Sequence, residues 1–192
     1  FAGGQVFDYE WSPDSQWICV AKSDASFASE LYIIPATGPT KENPARNITR
    51  FATYNGGVTW SKTSNRIAFI SQRRRNLNSA FVISLQKPGV PNTPAGKDFD
   101  WEDMHLRVRQ PSQMTIGECA ISNDGTRIAF RANQDGDDLW VANVDGSQVT
   151  RITVGSQKPT QIQWSRFFGS QVYFRDGAGN VVADLDSRHG RA

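Results

Sequence analysis

Trp11-Ser12-Pro13-Asp14-Ser15-Gln16-Trp17-Ile18 sets the pattern on which this chain is built: an apolar anchor, a serine, a polar turn, then an apolar strand. The order returns at Trp60-Ser61-Lys62-Thr63-Ser64-Asn65-Arg66-Ile67, Ile121-Ser122-Asn123-Asp124-Gly125-Thr126-Arg127-Ile128 and Trp164-Ser165-Arg166-Phe167-Phe168-Gly169-Ser170-Gln171-Val172. Anchor and strand residue stand seven positions apart in the first three copies and eight in the fourth. Recurrence of one short motif at near-constant internal spacing marks a repeat architecture. Turn formers between two apolar segments make each copy a hairpin connection.

Working outward, each copy is followed by a third apolar segment: Leu31-Tyr32-Ile33-Ile34, Phe81-Val82-Ile83-Ser84, Leu139-Trp140-Val141-Ala142 and Val181-Val182-Ala183-Asp184. A fourth is legible as 46–50 and 149–153, and more faintly as Leu106-Arg107-Val108. From there to the next anchor is 12 or 13 residues, so loops absorb the variation in repeat length. The 13 Val, 12 Ile and 12 Thr against 6 Leu, cut by 16 Gly and 9 Pro, are strand-and-turn chemistry, and no long stretch has helical periodicity. The expected fold is therefore all-β: a β-propeller of four-stranded antiparallel blades at about 5–51, 57–109, 115–154 and 160–192, with a loop insertion at 86–103. Few residues follow the last third strand, so the fourth blade is expected to be incomplete and the chain to be part of a larger propeller.

Charge is nearly balanced, 21 Lys+Arg against 19 Asp+Glu, which argues against recognition of nucleic acid through bulk charge. No apolar run approaches the roughly 20 residues that a membrane helix needs. The opening FAGGQVFDYE has neither a Met nor a basic-then-apolar leader, so a soluble piece is expected, in the periplasm or the cytoplasm.

The Trp-Ser-Pro-Asp-Ser and Ile-Ser-Asn-Asp-Gly turns, with the Asp145-Gly146 turn before Arg151-Ile152-Thr153, resemble those of TolB and tricorn-protease propellers over almost the whole chain. The tract Lys97-Asp98-Phe99-Asp100-Trp101-Glu102-Asp103-Met104-His105-Leu106-Arg107-Val108 is similar to the acidic-aromatic tract of tricorn-like serine peptidase propellers. That resemblance implies a propeller that binds or gates peptides and holds catalytic domains lying outside this segment. The alternative it implies is a TolB-like periplasmic propeller that binds protein partners.

Candidate chemistry is sparse. His105 and His189 are the only histidines, and no Gly-x-Ser-x-Gly occurs, so no Ser-His-Asp arrangement is expected. Cys19 and Cys119 stand in apolar segments and read as core residues, and neither they nor the histidines have metal-ligand spacing. Asp135-Gly136-Asp137-Asp138 lacks the rest of a calcium loop and reads as a hairpin turn. No cofactor or metal is expected. Asn47-Ile48-Thr49 is a sequon that reads as coincidental. Trp11, Trp60 and Trp164 share one repeat position and are expected between blades, with Trp17 and Trp140 also in the core. Trp101, among four acids in the insertion, reads either as an anchor for that loop or as a domain-docking residue.

In a propeller, loops joining second to third strands lie at the same end as loops between blades. Arg73, Arg74 and Arg75 of the second blade and Asp135, Asp137 and Asp138 of the third are thereby expected on one end, with the 86–103 insertion at the other. A solvated loop tip is the plain reading of the arginines. The functional one is a charged rim that captures peptide carboxylates or docks another domain of the parent protein, because guanidinium groups pair bidentately with carboxylates.

Overall fold

The computed structural model describes residues 4–26, 28–89 and 96–186. Its strands pair in chain order as four antiparallel sheets. The first holds β1 (Gln5–Trp11), β2 (Trp17–Ser23), β3 (Ser29–Pro35) and β4 (Arg46–Asn47). The second holds β5 (Asn55–Trp60), β6 (Arg66–Ser71), β7 (Ser79–Ser84) and β8 (Val108–Arg109). The third holds β9 (Ile116–Ile121), β10 (Arg127–Asn133), β11 (Asp137–Asn143) and β12 (Thr150–Arg151). The fourth is three-stranded among the described residues, with β13 (Thr160–Trp164), β14 (Gln171–Asp176) and β15 (Gly179–Asp184). The chain is an all-β propeller array. Among the described residues no helix is long and apolar enough to cross a membrane. The fourth strands are two-residue pairings, and Leu106, expected in a strand, lies in a 3₁₀ turn, Met104–Leu106. The tail from 187, with His189, lies outside the described residues.

The repeated serine explains the repeated turn. Ser12 and Ser122 are buried, and each hydroxyl donates to the aspartate two residues on, Asp14 or Asp124, at 2.6 Å. Each also accepts the amide that opens the second strand, Trp17 N or Arg127 N, at 2.9 Å. In the second blade Thr63 stands in the aspartate's position, and Ser64, one residue on, donates to the Ser61 hydroxyl at 2.7 Å. In the fourth, Ser165 accepts from Phe167 N and Phe168 N. Such Asx and serine turns satisfy backbone groups that a tight connection otherwise strands.

Three apolar clusters occupy the three seams between blades. Cys19, Ala21, Leu31 and Ile33 of the first blade meet Val58, Trp60, Ile67, Phe69 and Ile83 of the second. Ala68, Ile70, Ala80 and Val82 meet Ile121, Ile128 and Phe130 of the third. Ala129, Leu139 and Val141 meet Ile162, Trp164, Val172 and Phe174 of the fourth. Aliphatic residues of the outgoing face, several of them small, thus receive the larger and often aromatic side chains of the incoming face. Polar stitches accompany them: Val58 N donates to Asp8 Oδ2 at 2.9 Å, and Ile162 N to Glu118 Oε1 at 2.7 Å.

One repeat position departs from expectation. Trp60 and Trp164 are 2% and 7% exposed, whereas Trp11 is 46% exposed. The anchor packs on the blade before its own, and the first blade has none among the described residues. Trp17 and Trp140 are partly buried against the first and second seams.

The described part of the 86–103 insertion is fastened beneath the first seam. Asn65 Oδ1 accepts Gly96 N at 2.8 Å, Asn65 Nδ2 donates to Lys97 O at 2.7 Å, and Trp17 Nε1 donates to Gly96 O at 3.0 Å. Gly96 has φ +93°, and a Cβ there would run into the Asp14 carboxylate, so only glycine fits this approach. Arg107 closes the insertion by donating to the carbonyls of Ser84 and Glu102, at 3.0 and 2.9 Å, and of Asp100.

Candidate functional site

The β6–β7 and β10–β11 loops lie at the end that carries the connections between blades. Gln72 N donates to Tyr54 O in the first connection, and Lys158 N in the third donates to Asp137 O. The insertion lies at the other end of the blade. The six candidate charges do not form one rim, because their surroundings divide them.

Arg73 turns inward. Its guanidinium carbon lies 5.1 Å from the Phe51 ring centre, 5.3 Å from Phe81 and 5.6 Å from Phe69. Burial lowers its pKa, Glu30 opposes that shift and Arg74 adds to it. Nε and Nη2 are buried without a hydrogen-bond partner among the described residues. Cation–π contact with three rings offsets part of that desolvation. Arg74 and Arg75 remain exposed at the loop tip, where Arg75 and Asn76 adopt positive φ.

Asp138 is fully buried. Its Oδ2 accepts Arg151 Nη2 at 2.5 Å and its Oδ1 accepts the Thr153 hydroxyl at 2.8 Å. Burial alone would raise its pKa, but Arg151, Thr153 and the amides of Gln157 and Ser156 outweigh it and hold the carboxyl below its ordinary value. Thr153 Oγ1 in turn accepts Leu139 N at 3.0 Å, tying β11 to the fourth-strand segment. The first blade repeats the device: Thr49 donates to Glu30 at 2.6 Å and accepts Leu31 N at 3.0 Å. Asp138 is a structural clamp. Asp135 is exposed and Asp137 half-buried, and no ion pair joins this loop to Arg73, Arg74 or Arg75 among the described residues.

Trp101 packs against Phe99, ring centres 5.2 Å apart and edge-on, and against Trp17 at 5.7 Å, with Arg46 stacked over it at 4.8 Å. It anchors the insertion to the first blade and is itself partly buried. His105 is half-buried in the 3₁₀ turn. Cys19 and Cys119 are buried and free; burial, aided by Glu118 and Asp8, pushes the Cys119 thiol up to about 12, and burial raises Cys19 likewise. Thiols so shifted are poor nucleophiles. No group of three or more His, Cys, Asp or Glu that could hold a metal occurs among the described residues.

Sequence reasoning missed the Glu30–Thr49 and Asp138–Thr153 clamps. A signal was present in the first and third blades, an acid as the second residue of the third strand followed later by Ile48-Thr49 or Ile152-Thr153. Arg46, Phe51 and Arg151, which complete the two arginine–aromatic stacks and the clamp, were equally absent from the candidates.

No protein-family profile and no curated protein sequence matches the chain. Solved structures do. A TolB-type protein from Agrobacterium tumefaciens is 19% identical, with TM-score 0.65, over 93% of this chain and 64% of its own. The puromycin-hydrolyzing peptidase of Mycobacterium tuberculosis is 10% identical, with TM-score 0.65, over 97% of this chain and 30% of its own. The tricorn protease is 15% identical, with TM-score 0.61, over 96% of this chain and 21% of its own. The chain thus spans less than two thirds of each of these structures, and its fold is a β-propeller of the TolB and tricorn type.

Proposed function

We propose that the chain is a non-catalytic propeller segment that binds or gates peptides and scaffolds catalytic domains in a tricorn-like serine peptidase. The end carrying Arg74, Arg75 and Asp135 is its binding surface. The observation that carries this reading is the division of the arginine triplet. Arg73 is sunk among three rings and fixes the loop, leaving Arg74 and Arg75 exposed and outside any ion pair among the described residues. Unengaged guanidinium groups on a fixed loop suit peptide carboxylates or an acidic face of a neighbouring domain. The solved peptidases with this fold support a parent of that kind, with nucleophile and base in domains beyond this segment.

The test is fluorescence anisotropy of a labelled acidic peptide at low and high salt. Arg74→Ala combined with Arg75→Ala should weaken binding about tenfold at low salt, the range expected for losing charge-assisted bonds, without moving the melting temperature. The pure chain should also fail to hydrolyse the peptide. Unchanged binding, or turnover by the chain itself, contradicts the proposal. A second reading, a TolB-like interaction propeller, is favoured by the likeness to TolB structures; binding of a folded protein but of no free peptide would select it.

A further inference from the structure

A pocket of about 200 Å³ opens at the outer edge of the seam between the second and third blades, and three arginines line it: Arg66, Arg107 and Arg109. It lies at the far end of the second blade from Arg74 and Arg75, since Arg66 pairs with Ser84 at one end of the β6–β7 ladder and Ser71 with Ser79 at the other. Val82 and Val144 supply apolar wall on either side of the seam. Asp145 is the single acid of the lining, and its Oδ1 already accepts the Ser147 amide at 2.9 Å and hydroxyl at 2.7 Å.

The arginines differ in what they have left to give. Arg107 gives one N–H each from Nε, Nη1 and Nη2 to backbone carbonyls and is held in place by them, with the Asp100 carboxylate 4.0 Å away. Arg66 commits Nη1 to Gly125 O at 2.8 Å and forms no ion pair among the described residues. The side chain of Arg109, exposed at the outer strand β8, makes no hydrogen bond or ion pair among the described residues, and its electrostatic neighbour is Asp145. Three guanidinium groups against the carboxylates of Asp145 and Asp100 leave a positive excess in a concave, partly apolar space, and Arg66 and Arg109 retain most of their donors. Guanidinium forks bind planar and tetrahedral oxyanions through paired N–H groups.

We infer that this pocket binds a compact oxyanion, a carboxylate or a phosphate group, held between Arg66 of the second blade and Arg109 with Asp145 of the third blade at its rim. This site is separate from the peptide surface proposed above and stands or falls independently of it.

Calorimetric titration with inorganic phosphate, and in a second arm with an acetylated peptide bearing a free C-terminal carboxylate against its amide, tests the inference. Sodium chloride at matched ionic strength is the baseline. Saturable binding of phosphate or of the free acid, weakened about tenfold or more by Arg109→Gln and left unchanged by the charge-matched Arg166→Gln, supports it. The arm that binds identifies the oxyanion. Arg107 is left intact because it holds the insertion. Absence of saturable binding in both arms, or equal loss in the two variants, overturns the inference.

Discussion

The buried serine of each turn and the buried aspartate of the third blade make different demands on stability. Ser122 is 2% exposed, donates to Asp124 and accepts Arg127 N, so Ser122→Ala leaves the part-buried Arg127 amide without its acceptor and takes one donor from Asp124. A loss of about 1–3 kcal/mol in urea unfolding is expected. Asp138→Asn should cost about 3 kcal/mol at neutral pH, because it leaves Arg151, only 26% exposed, without its counter-charge. The pH dependence has a definite sign. A carboxyl held below its ordinary value stabilises the fold above the unfolded-state pKa near 3.8 and loses that contribution as pH falls through the lower folded value. The wild type should therefore lose stability below about pH 4 more steeply than Asp138→Asn, as read by urea midpoints across that range. Anchors and serines were legible in the sequence because the repeat displays them at one offset. Asp138 was not, because its partners Arg151 and Thr153 stand 13 and 15 residues on and meet it only once β11 has paired with β12. Arg73 likewise looks identical to Arg74 and Arg75 until Phe51, Phe69 and Phe81 converge on it from separate segments.

At the scale of elements, second and third strands fell within one or two residues of expectation, since β-branched runs bounded by turn residues leave little freedom. Fourth strands did not, because two-residue pairings at an edge, such as Val108–Arg109, have too few residues to display an alternation. The anchor position shows what a repeat cannot display: Trp11 and Trp60 have the same local sequence context but different neighbours. Trp60→Ala, which empties a side chain 2% exposed in the first seam, should destabilise by about 3–5 kcal/mol. Trp11→Ala, at 46% exposure, should cost under about 1.5 kcal/mol in the same denaturant titration. Equal losses would mean that the first blade's incoming face is covered.

Over the whole molecule, stability is shared between blades through three apolar seams, so the central claim is that the blades stack in chain order with the second and third covered on both faces. The surfaces proposed for function are what the seams leave over: loops at one end and the Arg66–Arg109 pocket at the other. The loop end was placed from the repeat's strand order, but the pocket was not, because Arg66, Arg107, Arg109 and Asp145 meet only in the stacked array. Native-state hydrogen exchange tests the stacking most directly, since protection reports how far each strand must open. The amides of β6 and β10 should exchange most slowly, and those of β1 and β15, in blades with one face uncovered among the described residues, fastest among the strands. Protection in β1 and β15 equal to that in β6 and β10 would contradict the account.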